Sequence, residues 1–428
     1  MKILFKNARL LLIEKEEIIF GDLIVTNNII TYVGESKNHQ EKFDRIIDVE
    51  GNVLMPGFKN AHTHSAMTFL RSNADDLKLE DWLYNHVFPY ETKLTESDVY
   101  HLSKVAFLEY LTSGVTAQFD MYYFPKAIFE ASVDFGMRSV ILATPTSFKE
   151  SIKETKENFI NLNNKHELVS FCLGFHAEYT ATEAMLIELS EVANELKAPV
   201  YTHISETENE VNGCIKRHGL TPALYFDKLG LYNYGGGGFH GVHLTDEDID
   251  VFLKHNLHLV TCPSSNTKLA SGIAPIQKFI NKKMNLAIGT DGPASNNCLD
   301  MFREMFLVTG LGKLKANDAT AVDAIKVLKM ATLGGAYAMG LHNADTLSEG
   351  KLADLIMINL KRPNMQPLNN IMKNIVYSGS KENIKLVMIN GRILYEDYQF
   401  YLNEPVEDIY KKAQEITDRI KKEYKDSL

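Results

Sequence analysis

Eight short apolar runs, each followed by a loop or an amphipathic stretch, constrain what this chain can fold into more than anything else in it. The first ends at NAHTH; the others are VTAQFD, SVILAT, LVSFCLGFH, APVYTH, GFHGVH, LHLVTC and LAIGTD. Between them lie segments such as TEAMLIELSEVANELK and TDEDIDVFLKHN, whose apolar residues recur at helical spacing. Repeated strand-then-helix units build a parallel sheet, and eight of them close into a (β/α)8 TIM barrel. An open doubly wound sheet is the alternative. No GxGxxG follows an early run, so a dinucleotide fold lacks its phosphate-binding turn. The GGGG at 235–238 does not have that pattern and reads as a flexible turn.

The two ends of the chain have a different rhythm. KILFKNARLLLI, EIIFGDLIVTNNIITYVG and RIIDVEGNVLMPG near the start, and ADLIMINL and IKLVMINGRILYEDYQFY near the end, are rich in Ile, Val and Leu and punctuated by Asn and Gly. The economical division is a discontinuous β-sandwich domain from residues 1–55 and 350–428, around a catalytic barrel at 56–349. EPVEDIYKKAQEITDRIKKEY closes the chain with helical periodicity. A length of 428 residues with 45% hydrophobic content leaves room for both.

A net charge of −10, with no long Lys/Arg block, argues against nucleic acid and admits a small neutral or cationic substrate. Cys172, Cys214, Cys262 and Cys298 form no CxxC and read as free thiols of a reducing compartment. The N-terminal apolar run is too short for a signal peptide or a membrane span, so the expectation is a cytoplasmic protein without a membrane partner.

Chemistry enters where the runs stop. NAHTH, LGFH, VYTH, GFH and AIGTD all finish on a group that can hold a metal or carry a proton. In a barrel these C-terminal ends converge on one rim, where active sites are built. His62-x-His64 alone is weak, since 14 histidines in 428 residues supply about 0.5 HxH pairs by chance. On a strand, however, residues i and i+2 share a face, so both imidazoles can meet one ion. His203 after APVYT and Asp291 after LAIGT complete a ligand set of three imidazoles and a carboxylate with room for water, the pattern of a catalytic site. An aspartate after a strand is otherwise commonly a helix N-cap.

Glu206, three residues past His203, suits a proton shuttle, although Glu208 and Glu210 make the same loop acidic. His240 is read as the histidine facing the site and His243 as structural. His176, at the end of the fourth run, is read as a substrate contact. His101, His218 and His255 lie in helix-like segments and are read as structural. An ion held by such a set makes water acidic enough for a nearby carboxylate to take its proton, and Glu206 can pass that proton to a ring nitrogen or a leaving amine.

At these residues the sequence resembles the amidohydrolase superfamily, in its aminohydrolase branch of 5′-methylthioadenosine/S-adenosylhomocysteine deaminases. The stretches that carry the resemblance are PGFKNAHTHSAMTFLR, DDLKLEDWLYNHVFPYETKLTESDV, THISETENEV, CPSSNTKLASGIAPI, GTDGPASNNCLDMFREM and ADLIMINL, in the family's order across nearly the whole chain. It implies one Zn²⁺ per subunit, with Fe²⁺ as the alternative, held by His62, His64, His203 and Asp291. Glu206 becomes the shuttle, His240 the orienting histidine and Asp291 also a base. Glu91 becomes a ribose-hydroxyl acceptor and His176 a purine contact; from the residues alone Glu91 passes for a solvated helix acid. The resemblance leaves a homo-oligomer open.

The implied reaction is zinc-dependent hydrolytic deamination of an adenosine-like nucleoside: 5′-methylthioadenosine, 5′-deoxyadenosine, adenosine or S-adenosylhomocysteine. The product would be the inosine analogue, with release of ammonia. The alternative is an aminohydrolase or chlorohydrolase of guanine, a modified purine, a pterin or an s-triazine. A dinuclear relative would need a carboxylated lysine where His176 stands, and an inactive relative would not need Glu206 and His240 beside a full ligand set. The chain departs from the family at Glu178 (for proline), at HGVHL (for HCVHL), at Cys262 (for asparagine) and near Ala143, where an arginine would suit the carboxylate of S-adenosylhomocysteine.

Overall fold

The computed structural model describes residues 1–146 and 150–427. Eight parallel strands, Phe58–Thr63, Val115–Met121, Arg138–Leu142, Val169–Gly174, Val200–Ile204, Gly236–His240, His258–Thr261 and Asn285–Ile288, pair each with the next. They correspond to the eight apolar runs. Most of their residues are buried, as expected where helices cover the outside and side chains fill the inside.

Among the described residues no backbone ladder joins the eighth strand to the first, and the barrel closes by other bonds. Thr290 N donates to Asn60 Oδ1 at 2.9 Å, Asn60 Nδ2 to Thr290 Oγ1 at 2.8 Å, and Asp291 N to the His62 carbonyl at 3.0 Å. The approach is so close that a Cβ on Gly289 would lie 2.7 Å from the His62 backbone nitrogen, so only glycine fits there.

The glycines at 236–238 are not a flexible turn. They form most of the sixth strand, and a Cβ on Gly237 would sit 2.0 Å from the His258 carbonyl oxygen of the neighbouring strand. In the sequence a glycine run looks like a break; here it permits tight strand packing.

Both chain ends contribute to one nine-stranded mixed sheet. Its backbone path runs Gln399–Phe400, Arg392–Glu396, Ile384–Ile389, Leu355–Ile358, Val53–Pro56, Lys2–Leu12, Glu17–Thr26, Ile29–Gly34, with Arg45–Asp48 also paired to Lys2–Leu12. The sheet folds over itself: Asn28 in one turn donates to Asn390 in another at 3.1 Å. The layers enclose an apolar cluster that includes Phe5, Leu23, Val25, Leu355 and Leu386, which makes the β-sandwich.

Two features fix the sandwich beneath the barrel. Val53–Pro56 runs almost directly into the first barrel strand, and Arg138, at the start of the third, forms a buried double contact with Asp354 (Nη2–Oδ1 3.0 Å). Asp354 also accepts from Asn390 N at 2.8 Å. The last helix, Val406–Asp426, packs on the barrel helix Glu96–Thr112, where Arg419 pairs with Asp98 and the Tyr90 and Tyr424 rings lie 4.2 Å apart. No helix of the described residues is long and apolar enough to cross a membrane.

Burial alone would raise the Asp354 carboxyl, but the Arg138 guanidinium beside it outweighs this and holds it below its usual value. A depressed carboxylate stabilises the fold at neutral pH, and that contribution is lost as pH falls through the folded-state value. Asp354→Asn leaves Arg138 buried without its counter-charge, so urea unfolding at pH 7 is expected to show a loss of about 3–5 kcal/mol. The deficit should shrink toward acid pH. A loss below about 1 kcal/mol at pH 7 would contradict this role for the pair.

Candidate metal centre

The first, fifth, sixth and eighth strands deliver His62, His64, His203, His240 and Asp291 to one point on the C-terminal rim. The ligand atoms of His62, His203, His240 and Asp291 all lie within 4.8 Å of one another. His64 borders the same point, with Nε2 3.1 Å from Asp291 Oδ1, while His62 Nε2 is 3.6 Å from that oxygen. The five side chains are buried.

Backbone geometry at the strand ends aims these groups. Ser205, His240 and Asp291 all adopt left-handed conformations, with φ of 48°, 74° and 61°. Non-glycine residues rarely do so, and such strain persists where the surroundings hold it, commonly at functional sites. Glu210 is one such hold. Its two oxygens accept from Ser205 N at 2.8 Å and from Glu206 N at 2.7 Å, which fixes the turn that presents Glu206.

Tautomers follow from the partners, since a carbonyl oxygen can only accept. His64 Nδ1 donates to Met121 O at 2.5 Å, and His203 Nδ1 to His176 O at 2.6 Å. His240 Nδ1 donates to Asn266 Oδ1 at 2.8 Å. In its neutral form each ring then turns an Nε2 lone pair inward, the second-layer arrangement of metal-ligating histidines. Both ring nitrogens of His62 are buried with no hydrogen-bond partner. An imidazole left so would be costly unless it binds something.

Burial pushes His62 down to about 3, and burial with the neighbouring imidazoles takes His203 well below its usual value. For Asp291 burial acts upward, but the His62 and His64 rings outweigh it and hold the carboxyl well below the usual range. Two neutral imidazoles and an ionised carboxylate are the forms that ligate a divalent cation. The donor set fits one such ion, with nitrogen and oxygen ligands of the kind zinc takes.

Glu206 sits beside this point. Its Oε2 is 3.8 Å from His240 Nε2, and Oε1 accepts from Ser271 Oγ at 3.2 Å. Burial raises its carboxyl above the usual value, against the opposing effect of His240. A carboxyl raised in this way is better matched to taking and returning a proton than an ordinary surface carboxylate.

A pocket opens over the cluster and is lined by His64, His176, His203, Glu206, His240 and Asp291 among others, where a small molecule could sit. His176 lines the pocket, with its ring anchored to Thr180 (3.1 Å) and its pKa lowered by burial to about 3. Glu91, also on the wall, is buried rather than solvated and accepts from Tyr122 OH at 2.5 Å.

The remaining histidines are elsewhere. His243 bonds the Ser271 carbonyl, His218 stacks on Tyr225 and meets Glu178, and His255 pairs with Asp227. Sequence reasoning missed several wall residues: Trp82, Leu83 and Phe88 from the Leu79–Glu91 segment, Tyr122, Thr144 and Ser295. No periodicity marks them; their signal is position, just past a strand end or in the long insertion after the first strand.

The amidohydrolase family model matches residues 53–394. The chain is 36% identical over 408 residues to a 5-methylthioadenosine/S-adenosylhomocysteine deaminase of Thermoanaerobacter pseudethanolicus, covering 93% of this chain and 94% of that one. It is 38% identical over 403 residues to the enzyme of the same name from Thermococcus kodakarensis, covering 92% and 94%. A solved structure of an adenosine deaminase from Xanthomonas campestris with bound zinc superposes with a TM-score of 0.93 at 31% identity, covering 98% of both chains.

Because the pocket is preorganised, zinc should stabilise the metal-stripped protein, by about 2.7 kcal/mol at a hundredfold excess over its dissociation constant. His62→Ala is expected to abolish most of that shift in a thermal melt. An undiminished shift in the variant would remove His62 from the ligand set.

Proposed function

The chain belongs to the amidohydrolase family, and from that premise we propose that it deaminates a 6-aminopurine nucleoside with a small uncharged 5′ group, such as 5′-methylthioadenosine, 5′-deoxyadenosine or adenosine. It is a hydrolytic deaminase, and its residues divide the work. The observation that carries the assignment is the juxtaposition of Glu206, with its raised carboxyl, and a rim of imidazoles around Asp291.

His62, His64, His203 and Asp291 would hold one zinc ion, with iron(II) as the alternative. Such an ion supplies a nucleophile at neutral pH by acidifying water. Ionised Glu206 takes one proton of the attacking water and delivers it to the ring nitrogen beside the reacting carbon; the second proton of that water, accepted by Asp291, goes to the amine, which departs as ammonia. His240, aimed by Asn266, turns its inward Nε2 toward the incoming oxygen and orients it, while Asp291 acts as a second base. His176 contacts the purine edge. Glu91, held by Tyr122, accepts a ribose hydroxyl. Leu79, Trp82, Leu83 and Phe88 exclude water from above.

The choice of 5′ group rests on the wall near the third strand. Ala143 is buried there, Thr144 and Tyr123 face the pocket, and no lysine or arginine lines it among the described residues. Among the described residues a zwitterionic amino-acid tail finds no cationic partner for its carboxylate, and burying that charge unpaired is costly. The favoured substrates carry no such charge. The enzyme is expected to act as a small-molecule catalyst in the cytoplasm.

A panel of adenosine, 5′-deoxyadenosine, 5′-methylthioadenosine, S-adenosylhomocysteine, guanine, a pterin and an s-triazine, read by ammonia release, tests this. We expect the uncharged nucleosides to exceed S-adenosylhomocysteine at least tenfold in kcat/KM. Turnover of guanine or a triazine with no nucleoside activity would overturn the reading.

Glu206→Gln should retain the metal and lose about 10²–10⁴-fold in kcat. Because Glu206 must be ionised to accept the proton and burial raises it, the acid limb of kcat/KM should lie above the ordinary carboxylate range, with activity falling as pH drops through it. A pH profile flat down to pH 4 would exclude Glu206 as the base.

A further inference from the structure

Glu304 is a fully buried carboxylate that the proposed chemistry does not use. It lies in the first turn of the helix Met301–Ala316, beyond the eighth strand. Its oxygens serve two different loops. Oε2 accepts from Ser264 N at 3.0 Å, in the short helix Pro263–Lys268 that follows the seventh strand. Oε1 accepts from Asn296 Nδ2 at 2.8 Å, in the loop that follows Asp291.

Each loop carries an element of the site. Two residues after Ser264, Asn266 accepts the His240 Nδ1 proton and so sets the face of His240 that meets Glu206. Asn296 Nδ2 also donates to the Thr290 carbonyl at 2.6 Å, next to Asp291, and Asn296 N bonds Gly292 O at 3.0 Å on the other side of it. Thr290 is in turn bonded through the barrel seam to Asn60, two residues before His62. We propose that Glu304 is a positioning residue that holds His240, through Asn266, and Asp291, through Asn296, in register with each other. A ligand needs placement within roughly 0.5 Å, and His240 and Asp291 stand on strands two apart with no direct bond between them.

The chemistry requires an acceptor at both oxygens, because both partners are N–H donors. Glutamine has one acceptor oxygen and one donor amide. Whichever way the side chain of a Glu304→Gln variant turns, it loses the acceptor for either Ser264 N or Asn296 Nδ2, and one of the two bonds is broken. Glu304→Asp keeps both acceptors and shortens the reach by one methylene.

The kinetic arm of the test rests on the deaminase reading; the metal arm does not, so failure of one is distinguishable from failure of the other. For the metal arm, Co²⁺ alone is titrated into stripped protein and followed by its absorption bands. Removing an outer-layer partner of a metal site typically costs about 10–100-fold in affinity or activity. We expect Glu304→Gln to lose that much in Co²⁺ affinity or in kcat per bound metal, with KM changed less than threefold, and Glu304→Asp to recover part of it. A residue that merely stabilised the fold would lower the unfolding midpoint and the yield of active protein while leaving kcat per bound metal untouched. The Asn266→Ala/Glu304→Gln double variant should lose less in kcat than the product of the two single losses, because the two changes interrupt one chain of contacts. Folded Glu304→Gln with wild-type Co²⁺ affinity and kcat per bound metal would overturn the proposal. If Glu304→Gln does not fold, wild-type values on both readouts in Asn296→Ala, which cuts the link from Glu304 to the Asp291 loop, would overturn it equally.

Discussion

The seam between the last and first barrel strands is the constraint on which the site depends. Gly289 lies against the His62 backbone with no space for a side chain, and Asp291 N bonds the His62 carbonyl. Closure therefore brings the aspartate of one strand end against the histidines of another, although they are separated by more than two hundred residues. A sheet left open at this edge would keep His62 and Asp291 on opposite margins. The barrel is thus the precondition of the proposed ligand set.

Closure also creates an electrostatic problem. It gathers four imidazoles and two carboxylates into a buried volume, where uncompensated polar groups are costly. The surrounding carbonyls of Met121 and His176 and the amide of Asn266 settle the outer nitrogens of three rings. Both nitrogens of His62 are left without a partner, and His64 Nε2 faces Asp291 Oδ1 at 3.1 Å. A divalent cation resolves that arrangement, and the same low dielectric lifts Glu206 toward the range where it can exchange protons. Structural cost and chemical use have one origin.

The fold was legible wherever the signal was local. Eight apolar runs and their polar endings are adjacent in sequence, and the rule that strand C-termini share a rim turns them into a site. Both β-rich ends read correctly as one sandwich for the same reason. The glycines at 236–238 misled because a glycine run says only that side chains are absent, and the reason here is the neighbouring strand carbonyl of His258. Glu91 was legible as a site residue only through resemblance, since its burial and its bond from Tyr122 depend on the packing of an insertion. Asn266, Glu210 and Glu304 carry no motif of their own. What they do depends on which backbone groups lie opposite, and no spacing in the sequence records that. The left-handed turns at His240 and Asp291 are equally silent, because non-glycine residues there are held by their surroundings.

The account stands or falls on the cluster at the seam holding a single ion. Elemental analysis of the purified, metal-replete chain measures this directly. One equivalent of zinc or iron per chain is the predicted result. Two equivalents, or none retained by a folded chain that still releases ammonia from its substrate, would contradict it.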